Sequence, residues 1–310
     1  MSEKITFISG CDSRYYPLLR EWLHSLQQFS QSANIEINIL DAGLSEEQRQ
    51  ALAPLVHKIY APDWPCQLPE RKTRGREFLK ACVCRPFLPQ IFPGYDIYVW
   101  MDADTWIQDW AGIDLLIEGA RRKKITLTGQ VDRAYPRVMR IKWLGAWPWK
   151  VRGFYFSNAR RAFGLKTAKT LLAYHVLLAG TFALHKDAPH WQRWQELLLK
   201  ALQKGKLFTA EQLCLGILCY IDGFKYEILP AWAHWLCEFK PLWDEKREIF
   251  VEPYLPHMPI SVLHISGFDE MRLDRSVTTD FKTTGGKTIE RSYRNPAFDG
   301  ESETALSEAA

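Results

Sequence analysis

The sequence predicts an α/β fold with a mostly parallel central sheet flanked by helices, on three observations. Short β-rich runs alternate with amphipathic helical runs over roughly the first 60 residues. A later stretch, "YVWMDADTWIQDW" (98–110), starts as a buried strand does and runs straight into carboxylates. The chain of 310 residues, 47% hydrophobic, can fill one large core.

The elements follow in order. "KITFIS" (4–9) is a strand, and after "GCDSRYYP" Leu19, Trp22, Leu23, Leu26 and Phe29 recur at helical spacing. "IEINIL" (35–40) alternates as a strand does, and Ser45-Glu46-Glu47-Gln48 matches a capping box before a helix running to about Val56. His57 to Tyr60 is a third strand, and "PDWPCQLPERKTRGR" (62–76) breaks both periodicities and reads as a long loop. Glu77 to Phe92, with Pro86 and Pro89, reads as a short helix interrupted late. Strands alternating with helices imply right-handed parallel crossovers, an architecture used for nucleotides.

Composition narrows the classes. No apolar run approaches the roughly 20 residues of a membrane span and the start has no long apolar h-region, so the expected location is cytoplasmic. Seven scattered cysteines show neither zinc spacing nor disulfide density and are expected to be reduced. The formal charge of +4 does not demand a nucleic-acid partner but suits an anionic small substrate. The first strand–helix turn, "ISGCDSRYY", has neither G-x-G-x-x-G nor a Walker A lysine, which removes the usual phosphate cradles.

In an extended strand Ile97, Val99 and Met101 share one face. Tyr98, Trp100, Asp102 and, if extension persists, Asp104 share the other. Two carboxylates at a strand's C-terminal end lie where open α/β sheets bind ligands, and they can hold a divalent cation. An acidic turn, with Asp104 or Asp109 capping the next helix, explains the same residues without a metal.

Taken with the βαβ start, the segment "RPFLPQIFPGYDIYVWMDADTWIQD", "AGTFALHKDAPHW", "FTAEQ" and a late "VLHISG", the chain resembles the GT-A glycosyltransferases. Within them it is most similar to the family-8-type retaining enzymes, over about residues 4 to 267. The resemblance implies a GT-A fold, Rossmann-like, with a catalytic domain over 1–270 and a C-terminal lid or flexible tail over 271–310. It implies transfer of a hexose from a nucleotide sugar, UDP-linked, with Mn²⁺, or Mg²⁺ in its place. Asp102 would contact the donor's ribose and sugar and share in metal binding, with Ala103 between the pair, and Asp104 and His264 would ligate the metal. Gly267 completes H-x-x-G. Ser9, Asp12 and Tyr15 would hold base and ribose, Arg85 and Gly180 would lie near the donor, and Glu211 and Gln212 near the anomeric face as positioning or electrostatic groups.

Each residue also has a plainer reading: a helix cap for Asp12, a surface salt bridge for Arg85, helix N-terminal charge for Glu211 and a core histidine for His264. Two departures from the family stand out. Leu178 replaces a polar residue before Ala-Gly, and Glu270 stands where a lysine is usual, leaving Arg272 or Arg275 to substitute. The tail from Thr278 is low in apolar residues.

Two other functions compete: a metal-dependent sugar nucleotidyltransferase, weakened by the missing basic Gly-rich loop, and an inactive GT-A homologue or sugar- or nucleotide-binding module. Arg121 to Lys124 and "RAYPRVMRIKWLGAWPWKVR" (133–152) interleave basic and aromatic residues. They suit an acceptor that is a glycan, a lipid-linked glycan, a protein or another anionic molecule, with nucleic acid not favoured and a peripheral place at the inner membrane surface admitted. The plainer account is a solvated basic loop with Trp143, Trp147 and Trp149 packed under it.

Overall fold

The computed structural model describes residues 3–135 and 139–298, without the side chains of 139, 140, 143 and 148–152. In chain order, β1 (Ile5–Cys11), α1 (Tyr16–Gln27), β2 (Glu36–Asp41), α2 (Glu46–Leu52) and β3 (Lys58–Tyr60) open the fold. Short helices α3 (Glu70–Thr73), α4 (Lys80–Val83) and α5 (Leu88–Ile91) lead to β4 (Ile97–Met101), β5 (Thr105–Ile107), α6 (Ala111–Arg121) and β6 (Ile125–Gly129). Next come the hairpin β7 (Met139–Leu144) and β8 (Trp147–Gly153), then α7 (Phe154–Ala162), α8 (Leu165–Leu171), β9 (Leu177–His185), α9 (His190–Lys204), α10 (Leu207–Tyr220) and β10 (Tyr226–Leu229). The chain continues through β11 (Trp235–Leu236), β12 (Leu242–Asp244), β13 (Ile249–Val251), β14 (Val262–His264), α11 (Asp269–Leu273), β15 (Thr279–Lys282) and β16 (Thr288–Arg291).

The central sheet has seven strands in the order β10-β6-β9-β4-β1-β2-β3. β1, β2 and β3 pair in parallel, as do β10 and β6, whereas β6 and β9 run antiparallel. The mostly parallel α/β sheet expected from the sequence is therefore present. All five residues of β4 are buried, as a strand covered on both faces requires.

Two compact units divide the chain. One comprises Thr6–Ala61, Met101–Leu115 and Trp232–Ala310. Here α1 starts with a proline in its first turn and buries Leu19, Trp22, Leu23 and Leu26 at the expected spacing. The Ser45–Gln48 capping box is made by both its bonds, but α2 ends at Leu52 and not near Val56. Residues 279–291 form the β15–β16 hairpin, and Phe281 and Tyr293 pack with Phe250 in a buried aromatic cluster. Trp106 donates from Nε1 to the Tyr293 carbonyl at 2.8 Å, and Arg294 clamps the buried Glu21 carboxylate of α1 from Nε at 3.0 Å.

The other unit comprises Met1–Ile5, Pro62–Trp100 and Leu116–Ala231. Its α9 and α10 pack on each other and α10 packs on β9, with Trp194 edge-on to Phe182 in the core. The interrupted helix expected over 77–92 is a chain of single turns, because Pro86 and Pro89 each remove a backbone donor. The loop over 62–76 carries the one-turn helix α3. Among the described residues no helix is long and apolar enough to cross a membrane.

Candidate metal centre and associated residues

β4 ends at Met101, and Asp102 begins a turn. The Thr105 N–H and hydroxyl both donate to the Asp102 carbonyl, at 3.0 and 2.6 Å. Extension thus does not persist to Asp104, and the two carboxylates sit on one tight turn instead of along one strand face. Antiparallel pairing of β5 with β14 sets His264 opposite Thr105, and the Ile265 N–H donates to the Asp104 carbonyl at 2.9 Å. A histidine 160 residues away is delivered to the turn by sheet register alone.

One ligand atom from each of Asp102, Asp104 and His264 lies within 4.8 Å of the other two. Two carboxylates and an imidazole so arranged fit a hard-to-borderline dication such as Mn²⁺. His264 Nε2 is 3.3 Å from Asp104 Oδ1, while its Nδ1 is 3.0 Å from Nε2 of the buried His234. Burial, and then the neighbouring His264, hold His234 well below its ordinary pKa, and in its neutral form with Nε2 unprotonated it can accept the His264 Nδ1 proton. That fixes the ring with Nε2 facing the carboxylates, the outer-shell support a ligating histidine needs. Sequence reasoning missed His234, which no spacing connects to the other residues.

Asp104 is 7% exposed and already faces two cationic groups. Burial pushes its carboxyl up, but His264 and then Arg272 outweigh this and hold it at about 2. Burial pulls His264 down, and Asp104 more than reverses that. Arg272 Nε lies 2.9 Å from Asp104 Oδ2 and also donates to the Ile265 carbonyl at 2.6 Å, while Nη1 meets Asp269 at 2.9 Å. Burial raises the pKa of the Tyr15 hydroxyl, and the Arg272 guanidinium near it opposes that. Of the two arginines considered for the site, Arg272 is at the carboxylates, and Arg275 is bound to Glu21. Gly267 has φ +78, and a Cβ there would lie 2.8 Å from Glu238 Cβ, so H-x-x-G needs its glycine for backbone reasons.

The remaining residues fall into two groups. In the same unit, Asp12 caps a 3₁₀ turn by accepting from the Arg14 and Tyr15 N–H groups, Ser9 is fully buried in β1, and Ala103 is buried in the turn. Asp109 caps α6 through the Ala111 N–H at 2.8 Å. In the other unit, Arg85 is not a surface group: it is buried, 2.9 Å from Glu211 Oε1 and 2.9 Å from the Ala179 carbonyl, over the Trp100 ring. Gln212 donates to the Leu177 carbonyl at 2.8 Å, and Gly180 is buried in β9. Trp147 is 79% exposed, so it does not pack beneath the basic stretch; the side chains of Trp143, Trp149 and Arg152 lie outside the described residues.

No family model matches the sequence, and no curated protein does. Solved structures do. The galactosyltransferase LgtC in complex with donor and acceptor sugar analogues is similar at TM-score 0.51 and 14% identity, over 84% of this chain and 87% of that one. An active-site mutant of LgtC gives 0.50 and 13% over the same shares. The bifunctional glycosyltransferase WbbM, in its apo structure, gives 0.56 and 12%, over 86% of this chain but 46% of that one. At such identities the likeness speaks to architecture, and the architecture is the GT-A glycosyltransferase fold.

Proposed function

We propose that this chain is a metal-dependent glycosyltransferase that moves a hexose from a nucleotide sugar, UDP-linked, to an acceptor, with retention. The observation that carries this reading is the convergence of Asp102, Asp104 and His264 on one turn of a GT-A fold. An acidic turn on its own would not recruit a histidine from a distant strand and back it with a second, neutral one.

Asp104 and His264 would hold Mn²⁺, with Asp102 assisting. The metal would supply Lewis-acid stabilisation of the charge that develops on a diphosphate leaving group. The chain's own groups do the rest. His234 keeps the His264 ring oriented, and Arg272 adds a fixed positive charge beside Asp104. Ser9, Asp12 and Ala103 are assigned to the nucleoside side and Arg85 and Gly180 to the donor sugar. Gln212 and Glu211 are assigned to positioning, since a leaving diphosphate can take the acceptor's proton without a strong protein base. The acceptor class is a glycan, free or lipid-linked, a protein or another anionic molecule.

Calorimetric titration of UDP with and without Mn²⁺ tests the reading, with hydrolysis of UDP-hexoses in water as a second readout. Wild-type binding should depend on Mn²⁺, and Asp104→Asn should remove that dependence while leaving the fold intact. Metal dependence unchanged in Asp104→Asn would return the turn to a structural role, and metal-dependent binding without turnover of any UDP-sugar would favour an inactive homologue. A clear preference for GDP- or CMP-sugars would overturn the donor assignment.

A further inference from the structure

The β7–β8 hairpin carries an apolar tip on a basic segment. Trp147 is 79% exposed, more than any other large apolar side chain among the described residues, and Leu144 is 65% exposed. They flank a two-residue turn, exposed Gly145 and Ala146, in which Gly145 has φ +59 as a tight hairpin requires. The hairpin forms a two-stranded sheet of its own, so the tip is not the edge of a larger core.

The charge around it is uneven to a degree that the overall +4 conceals. Between Asp132 and Asp187 the chain has eleven Lys and Arg and no Asp or Glu, leaving 29 basic residues against all 36 acidic ones elsewhere. Lys142 is exposed on β7, and α7, which packs on β8 and α8, ends in exposed Arg160 and Arg161. Lys166, Lys169 and a half-exposed Leu165 follow on α8.

We propose that this hairpin is a membrane-contact element, its Leu144–Trp147 tip entering the headgroup layer of an anionic bilayer, with Lys142 near the tip against the lipid phosphates and the basic α7–α8 segment that follows β8 adding to the attraction from further off. Indole prefers the interface between water and hydrocarbon, and leucine prefers the acyl side of it. Lys142 near the tip, and the basic residues that follow the hairpin, complement anionic leaflets. A single-stranded nucleic acid would instead call for a groove with stacking platforms, whereas the exposed tip pairs the one indole of Trp147 with an aliphatic Leu144. The inference stands on exposure and charge, independently of the proposed transfer reaction. If both hold, the acceptor is met at a membrane surface.

Co-sedimentation of the full chain with vesicles of phosphatidylcholine, alone or mixed with phosphatidylglycerol, tests this. Binding should require the anionic lipid, and Leu144→Ala/Trp147→Ala should weaken it by about tenfold or more, the loss expected for two apolar side chains leaving the interface. Both positions are exposed, so the thermal midpoint should not move. Quenching by brominated-chain lipids should fall in Trp147→Phe, whose apolar bulk is kept, which reads the depth of Trp147 directly. Four results would each overturn the proposal: no vesicle binding; binding that the tip variant leaves unchanged; tighter binding to single-stranded RNA than to vesicles; or a wild-type dimer that the tip variant makes monomeric, which would assign the surface to a second copy.

Discussion

Arg272 Nε stands 2.9 Å from Asp104 Oδ2, so the carboxylate best placed to hold a metal is already neutralised by a side chain eight residues beyond His264. A dication arriving at Asp104 must displace that guanidinium or tolerate it at close range, and like charges a few ångströms apart repel by about 4 kcal/mol for unit charges at an effective dielectric of 20. A diphosphate offers Arg272 another anionic partner. Metal and nucleotide should therefore bind cooperatively, with Arg272 as the coupling group.

The expected result for Arg272→Ala is tighter Mn²⁺ binding without nucleotide, by about tenfold, and loss of most of the gain that UDP gives the wild type. Electron paramagnetic titration of free Mn²⁺ reads both. Equal Mn²⁺ affinity in wild type and Arg272→Ala would mean that the guanidinium does not compete. If Asp104→Asn/Arg272→Ala binds as tightly as Arg272→Ala, the metal lies elsewhere.

His234 supports the candidate centre through His264, its Nε2 lying 3.0 Å from His264 Nδ1. His234→Ala should lower Mn²⁺ affinity by about 10- to 100-fold, as loss of a ligand's outer-shell partner does. His234→Asn, which can accept from the same nitrogen, should recover part of it. Recovery separates ring orientation from a general loss of packing, and circular dichroism checks that both variants fold.

Much of this centre was legible in the sequence because its local parts are periodic. A buried strand running into D-x-D marks itself, and "VLHISG" does so through its glycine. The capping box at Ser45 and the α1 stripe were equally readable, since both are satisfied within one or two turns. The turn at Asp102 was not, because it depends on the Thr105 hydroxyl folding back onto a carbonyl. Nor were the partners of His264, Arg85 and Glu21, which come from 30, 126 and 273 residues away. The tail was misleading for another reason. Its few apolar residues are widely spaced, but Phe281 and Tyr293 both land in one aromatic cluster.

His190 supplies a pH signature away from the candidate metal centre. Burial, opposed by the Lys225 carbonyl bonded to Nε2 at 2.7 Å, lowers its pKa, and Nδ1 has no partner among the described residues. The unfolded chain therefore takes up this proton first as pH falls. Its contribution to stability is complete above the ordinary value of about 6.5 and is lost as pH falls toward the folded value, by at most about 1.4 kcal/mol per unit. Urea unfolding at successive pH values should show a slope in this window that is shallower in His190→Gln. An unchanged slope in that variant would assign the acid sensitivity to other groups.

Glu21 decides how the C-terminal segment behaves. Its carboxylate is 2% exposed and takes Nε of Arg294 at 3.0 Å on both oxygens, the Asn295 N–H at 3.2 Å and a further bond from Arg275. A chain ending after Val277 keeps Arg272 and Arg275 but loses Arg294 and uncovers the Phe250 cluster. Leaving a buried carboxylate short of its partner costs about 3–5 kcal/mol, so this truncation should lower the unfolding free energy by at least that amount. Ending instead after Phe298 retains Arg294, Asn295 and the Phe298 carbonyl that receives Arg275, and should avoid that loss. Glu21→Gln in the full chain separates charge from coverage, because it removes the ion pairs and keeps the aromatic contacts. A 277-residue chain as stable as the full one would show that residues 278–298 are a detachable lid. A loss confined to that truncation, and partly reproduced by Glu21→Gln, would make them a structural part of the unit that carries the candidate metal centre.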